Sequence, residues 1–172
     1  MKTVILTGPK HSGKTSAGKS LASLCSCEFI DIDELILQRT EKSPRQLYSE
    51  GSAIFQKAEA EAMAAIAGDD GGEEWRVIAA GGGIIDNEEA AAALKQAGAA
   101  VVYLDISAEL AWDRISKRGE LPPFLRTENP RETHRVLHER RAAAYSRIAD
   151  IVIEAGVKTP QEIAEEILSH FD

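Results

Sequence analysis

The chain has 172 residues, 44% of them hydrophobic and 28% charged, which is the length of one domain with enough apolar material for a core. Its 20 Lys and Arg against 28 Asp and Glu leave a formal charge of −8, which argues against nucleic acid as the main partner because phosphate neutralisation needs clustered cations. No apolar run approaches the roughly 20 residues of a membrane span, and the apolar stretch at 3–7 is too short for a signal-peptide core, so a single cytoplasmic domain over residues 1–172 is expected.

Residues 3–7 read as a short buried strand, with Val4, Ile5 and Leu6 continuous rather than alternating. A helical pattern follows over 14–24 and a weaker strand over 28–31. Residues 33–67 hold only helical pattern, including a clear helix at 52–67, and predict a small helical insertion. The acidic, Gly-rich segment 68–74 reads as a flexible connector. Strands at 76–79, 100–104 and 151–153 then alternate with helices at 87–97, 108–117, 131–146 and 160–170. Such alternation implies right-handed crossovers and a mostly parallel five-stranded sheet covered on both faces, an α/β fold. The polar Gly- and Pro-containing stretch 117–130 reads as a mobile loop or lid. Cys25 and Cys27 are too few for a disulfide framework or a soft-ligand metal site and read as structural. His134 and His138 share a helix face but lack a third ligand, so no metal is assigned to them.

The chemistry begins at Gly8-Pro9-Lys10-His11-Ser12-Gly13-Lys14-Thr15, which fits the phosphate-binding GxxxxGK[ST] loop between a strand and a helix. Backbone N–H groups and the helix N-terminus would wrap phosphate oxygens, Lys14 would reach the β- and γ-phosphates, and the Thr15 hydroxyl would ligate Mg²⁺. Gly8, Lys10, Ser12, Gly13, Lys14, Thr15 and Ser16 are therefore the expected ATP-phosphate set. A second match overlaps at 13–20, but only the first register joins strand, loop and helix directly, which leaves Lys19 as a solvated helix residue. The absence of Asn-Lys-x-Asp and Leu-Ser-Gly-Gly motifs disfavours a GTPase and a transporter ATPase, and a small kinase remains.

Asp31 and Asp33 fall where the second strand ends, on the sheet edge that carries the loop. Two apart on an extended strand, they would share a face, one serving Mg²⁺ and the other accepting a proton from an attacking hydroxyl. The alternative is that Asp33 caps a helix beginning at residue 34. Gly81-Gly82-Gly83 follows the third strand on the same edge, where backbone without side chains permits close approach of a substrate.

With these features in place the chain resembles the shikimate kinase family over nearly its whole length. The resemblance is carried by the phosphate loop, Asp31-Ile32-Asp33, Gly51 with Phe55 and Glu59, the triple glycine, Val102-Tyr103-Leu104, and Arg141 with Tyr145. It implies ATP- and Mg²⁺-dependent conversion of shikimate to shikimate 3-phosphate, with Asp31 linked to Mg²⁺ and Asp33 the base toward the shikimate hydroxyl. It further implies that Gly81, Gly82 and Gly83 line the acid pocket and that Arg141 holds the substrate carboxylate. Arg114 would stack on adenine with Pro160 on the ring's other side. Residues 33–62 would be the substrate-binding insertion and 115–127 the lid.

Two positions depart from the family pattern. The family arginine that grips the substrate carboxylate is replaced by Gln56, and the lid arginine by Leu121 in Leu121-Pro122-Pro123-Phe124. A neutral amide does not reproduce a bidentate Arg–carboxylate contact. Lys57, Arg118 and Arg126 are the candidates to compensate, although Lys57 points about 100° around the helix from residue 56. The expectation is a monomeric small-acid kinase. A gluconate-type kinase and a non-catalytic nucleotide-binding relative are the rivals.

Overall fold

The computed structural model describes residues 2–67, 75–96, 98–117, 119 and 121–171. The connector 68–74 and Arg118 lie outside the described residues. Five parallel strands, β1 (Lys2–Thr7), β2 (Glu28–Asp31), β3 (Trp75–Ala79), β4 (Ala100–Asp105) and β5 (Ile151–Glu154), form one sheet in the order β2-β3-β1-β4-β5. The α/β expectation holds, and strand bounds differ from the sequence reading by about one residue, the usual uncertainty of a boundary.

The continuous Val4-Ile5-Leu6 run has its cause in the two faces of β1. Val4 and Leu6 join one core with Val77, Val102, Leu104, Leu21 of α1 (Lys14–Cys25), and Ile163 and Ile167 of α8 (Pro160–Ser169). Ile5 joins the opposite core with Ile36 of α2 (Ile32–Thr40), Met63 of α4 (Ser52–Ala67) and Leu94 of α5 (Glu88–Gln96). All three β1 side chains are fully buried, each stabilising the fold by about 1.5–3 kcal/mol. Cys25 and Cys27 pack against the first of these cores, as structural residues would.

Because β1 lies between β3 and β4, the winding reverses there and a crevice opens beyond its carboxyl end. The loop 8–13 fills that crevice and runs into α1. Gly8 sits at φ 139°, and a Cβ there would come within 2.7 Å of the Leu104 carbonyl oxygen, so the turn requires glycine. Gly18, part of the overlapping second motif, is inside α1, where a Cβ would stand 2.4 Å from the Phe29 ring. That glycine serves helix-on-sheet packing, and Lys19 lies over the Phe29 ring at 5.8 Å, away from the loop.

The predicted helical insertion comprises α2, α3 (Pro44–Glu50) and α4. Helix α3 is fixed at its start by a capping box between Ser43 and Gln46 with Pro44 at the first position. Beyond α6 (Ala108–Ser116), the segment read as a polar lid contains a 3-10 turn, Pro123–Leu125, in which Leu125 is fully buried, before α7 (Pro130–Ile148) begins. On α7, His134 and His138 are core residues, tilted against each other at 5.6 Å between ring centroids, and His138 Nε2 is 3.0 Å from the Ile106 carbonyl. No helix among the described residues is long and apolar enough to cross a membrane.

Candidate active site

A cleft of about 1340 Å³ runs along the carboxyl edge of the sheet. Its volume suits two small molecules bound side by side. Of the residues singled out from sequence, Lys10, Gly13, Lys14, Thr15, Ser16, Asp31, Asp33, Gln56, Gly81, Gly82, Gly83, Arg114 and Arg141 line it. Gly8 and Ser12 shape the loop from behind, with Ser12 buried and its N–H donated to the Pro9 carbonyl at 3.1 Å. Pro160 opens α8, which packs against α1, and does not line the cleft.

At the phosphate end, Lys14 Nζ donates to the carbonyls of Gly8 at 2.9 Å and Pro9 at 2.8 Å, which holds the ammonium across the loop mouth. Burial lowers its pKa to about 8, opposed by the Asp33 and Asp31 carboxylates. Gly13, at φ 101°, starts α1 without a side-chain cap, so the first helical N–H groups and the positive dipole end face the cleft. Arg114 Nη1 donates to the His11 carbonyl at 2.9 Å and Nη2 to the Gly156 carbonyl at 3.2 Å, which ties α6 to both the loop and the turn after β5.

The two aspartates are arranged differently from the sequence expectation. Strand β2 ends at Asp31, and α2 begins one residue later, so Asp33 is a first-turn helical residue and not a strand neighbour. Asp31, not Asp33, is the N-cap: its Oδ1 accepts from the Asp33 N–H at 3.0 Å. Its Oδ2 accepts from the Thr15 hydroxyl at 2.8 Å. The two carboxylates meet because a cap folds the chain back, not because a strand alternates. Thr15 Oγ1 and Asp31 Oδ2 form a pair of hard oxygen donors beside the phosphate loop, a set that fits Mg²⁺. A cation held by these two oxygens would be completed by phosphate and water. Asp33 remains accessible from the cleft, but the surrounding protein and then the Asp31 carboxylate push its carboxyl above the ordinary aspartate range.

At the opposite end stand α4, the triple glycine and α7. Each glycine leaves room for a neighbour. A Cβ at Gly81 would lie 2.7 Å from Glu59 Oε1, one at Gly82 2.9 Å from the Lys10 nitrogen, and one at Gly83 3.1 Å from Arg141 Nη2. Arg141 is held by Asp86, with Nε and Nη2 at 2.9 and 2.8 Å from Oδ2, while Nη1 donates to the Gly82 carbonyl at 3.3 Å. Arg140 pairs with the other Asp86 oxygen at 2.8 Å. The Phe124 ring of the lid segment packs 5.6 Å from the Arg141 guanidinium carbon.

Three polar residues here escaped the sequence reading as site residues: Glu59, Asp86 and Asn87. Glu59 is 1% exposed; its Oε2 accepts from Asn87 Nδ2 at 3.0 Å, and its Oε1 has no hydrogen-bond partner among the described residues. Burial pushes its pKa up to about 7, with Asp33 and Asp86 adding to the shift and Asn87 and Arg141 opposing it. A signal for Glu59 existed, since it lies at helical spacing between Phe55 and Met63 on an apolar face.

The raised pKa has a consequence for stability. Between about 4.5 and about 7 the unfolded chain has released this proton while the folded chain keeps it, so stability falls as pH rises through that window. Glu59→Gln removes this decline, worth on the order of 3 kcal/mol at ~1.4 kcal/mol per pKa unit. Denaturant melts from pH 5 to 8 should show the wild type losing stability more steeply than the variant; parallel profiles would exclude a buried proton on Glu59.

A family model for shikimate kinase matches residues 10–172. A shikimate kinase of Sulfurihydrogenibium sp. is 35% identical over 170 residues, covering 98% of this chain and 97% of that protein. Among solved structures, the shikimate kinase of Acinetobacter baumannii in complex with shikimate has a TM-score of 0.87 at 30% identity, covering 99% of this chain and 93% of that one. A gluconokinase of Sinorhizobium meliloti 1021, at TM-score 0.62 and 16% identity over 98% of this chain and 90% of that one, shares the fold alone.

Proposed function

The chain belongs to the shikimate kinase family, and from that premise we propose that it transfers the γ-phosphoryl group of ATP to the 3-hydroxyl of shikimate. The observation that carries this reading is the convergence of two chemistries in one cleft: Lys14 and the α1 N-terminus at one end, the triple glycine with Arg141 at the other, and Asp33 between them beside Lys14. Phosphoryl transfer asks little covalent chemistry of the protein; it asks for positioning and for positive charge where negative charge develops.

Lys14 and the loop N–H groups bind the β- and γ-phosphates. Arg114, braced against the His11 and Gly156 carbonyls, forms the adenine side of the cleft. Asp33 orients the acceptor hydroxyl and takes its proton as the oxygen attacks the γ-phosphorus and the bond to the leaving ADP oxygen breaks. Its raised pKa matches that duty, because a base nearer the working pH accepts a proton more readily. Thr15 and Asp31 would hold Mg²⁺, which when bound neutralises phosphate charge. Gly81 and its neighbours allow the acceptor ring to approach the backbone, and Arg141 faces the acceptor's acid group.

The test is coupled ADP release with ATP and Mg²⁺ against a panel of shikimate, gluconate and no acceptor. Shikimate-dependent ADP release well above the other two is expected, with shikimate 3-phosphate recovered as product. Release with gluconate alone, or with no acceptor at all, would overturn the assignment.

A further inference from the structure

Phosphoryl transfer builds negative charge on the group in flight, so the place where the phosphate loop meets the acceptor wall is where a cation counts most. The fold joins the two at Lys10. A Cβ at Gly82 would stand 2.9 Å from the Lys10 nitrogen and 3.3 Å from its Cα, so the loop backbone rests directly on the glycine turn after β3. Lys10 also lines both the cleft and a small cavity beside it, whose walls include Phe124, Arg141 and Tyr145. It therefore stands at the seam between the ATP end and the acceptor end.

The other lysines and arginines lining the cleft are committed. Lys14 Nζ is bonded to the Gly8 and Pro9 carbonyls, and Arg114 to the His11 and Gly156 carbonyls. Arg141 is taken by Asp86 and the Gly82 carbonyl, and Lys117 by Asp113 at 2.6 Å. Arg45, exposed on α3, is engaged as well. Lys10 is exposed too, but among the described residues its ammonium makes no ion pair or hydrogen bond. Its charge is nevertheless felt on both sides of the seam. Burial is the main cause of the fall in the Lys14 pKa to about 8, and Lys10 adds to that fall. Burial and then Asp31 raise the Asp33 carboxyl, while Lys14 and then Lys10 oppose the rise. Like charges gathered at one mouth repel one another, and an anion arriving between them relieves that cost. A loop residue can hold phosphate through its backbone N–H whatever its side chain; a flexible ammonium adds a point charge that can follow a moving group.

We propose that Lys10 is a catalytic residue of this chain, its ammonium holding oxygens of the γ-phosphoryl group from the acceptor side as that group passes from ATP to the acceptor hydroxyl. The inference rests on the shikimate kinase reading above and names a further side chain for that reaction. In the step, the acceptor oxygen bonds to the γ-phosphorus and the bond to the leaving ADP oxygen breaks. The hydroxyl proton passes to Asp33, and Lys10 keeps its own proton throughout. Bound ATP is already held by Lys14 and the loop N–H groups, whereas the Lys10 contact tightens as the phosphoryl group moves toward the acceptor. Its loss therefore falls on kcat more than on the ATP KM.

The experiment compares wild type, Lys10→Met and Lys10→Arg with shikimate as acceptor. Lys10→Met keeps the length and removes the charge, so kcat should fall on the order of 10²-fold while both KM values stay within about threefold of wild type. Lys10→Arg keeps a cation within reach and should hold kcat within about tenfold of wild type. ADP with aluminium fluoride and shikimate mimics the phosphoryl group in flight. That mixture should bind Lys10→Met more weakly by a factor similar to the loss in kcat, while ADP alone binds as it does to wild type. An unchanged kcat in Lys10→Met means a solvated lysine and overturns the proposal. So does a loss confined to the ATP KM, which is ground-state binding, and so does an equal loss in Lys10→Met and Lys10→Arg, which is packing. A wild type that turns over no shikimate overturns the parent reading, and this one with it.

Discussion

Lys14→Ala lowers phosphoryl transfer by ~10²-fold or more, while Lys19→Ala leaves it within a few-fold of wild type. The difference lies in where the two ammonium groups are held. Lys14 Nζ is fixed by the Gly8 and Pro9 carbonyls at the mouth of the loop, flanked by Asp31 and Asp33. Burial lowers its pKa to about 8, so it is predominantly charged at pH 7, and the approach of phosphate oxygens holds the proton more firmly. A preorganised charge of this kind needs no reorganisation when negative charge builds on the transferring group. Lys19 lies further along α1, exposed and over the Phe29 ring. Alanine at 14 leaves two carbonyls that water can satisfy, so the fold should survive. Single-turnover rates and melting temperatures on both variants check this; equal losses of rate would mean that the overlapping motif at 13–20 is the phosphate loop after all.

How much of this was legible in the sequence depended on the range of the interactions involved. The phosphate loop was readable because strand, loop and helix are contiguous, and Gly8 and Gly13 announce the backbone conformations that the turn needs. The burial of β1 on both faces was readable from Val4-Ile5-Leu6. The aspartate pair was located correctly but its geometry was not: Asp31 could equally continue the strand or cap a helix, and the cap won because α2 begins at Ile32. The lid reading weighed the polar residues of the segment and gave no place to Leu125, which is fully buried. The acceptor end was least legible. Asp86 and Arg141 are 55 residues apart, and Asn87 reaches back 31 residues to the Gln56 carbonyl and 28 to Glu59. No periodicity encodes such contacts; they exist only once α4, the turn after β3 and α7 are packed together.

The division of labour between the two aspartates gives the other large effect. Asp33→Asn should lower kcat by about 10²–10⁴-fold, the usual contribution of a positioned general base, with ATP affinity nearly unchanged. Asp31→Asn should instead raise the Mg²⁺ concentration needed for half-maximal rate. The assignment follows from what each carboxylate is already doing. Both oxygens of Asp31 are engaged, one by the Thr15 hydroxyl and one by the Asp33 N–H, so it is locked to the phosphate loop and to the start of α2. Asp33 lies one helical step further on, faces the cleft, and is pushed toward neutrality by its surroundings and by Asp31. A carboxylate so placed gains stability by taking up a proton, which is what the attacking hydroxyl must give away. Asparagine keeps the shape and the hydrogen bonding to the acceptor but has no basic oxygen of that strength. Lys14, only partly offset in the variant, should rather favour than resist phosphate, so loss of the base leaves ATP binding intact. Separate titrations of ATP and Mg²⁺ on the two variants measure this. If Asp33→Asn shifts the Mg²⁺ requirement as Asp31→Asn does, and both lose kcat equally, the two residues form one metal-binding unit and the proton must go elsewhere.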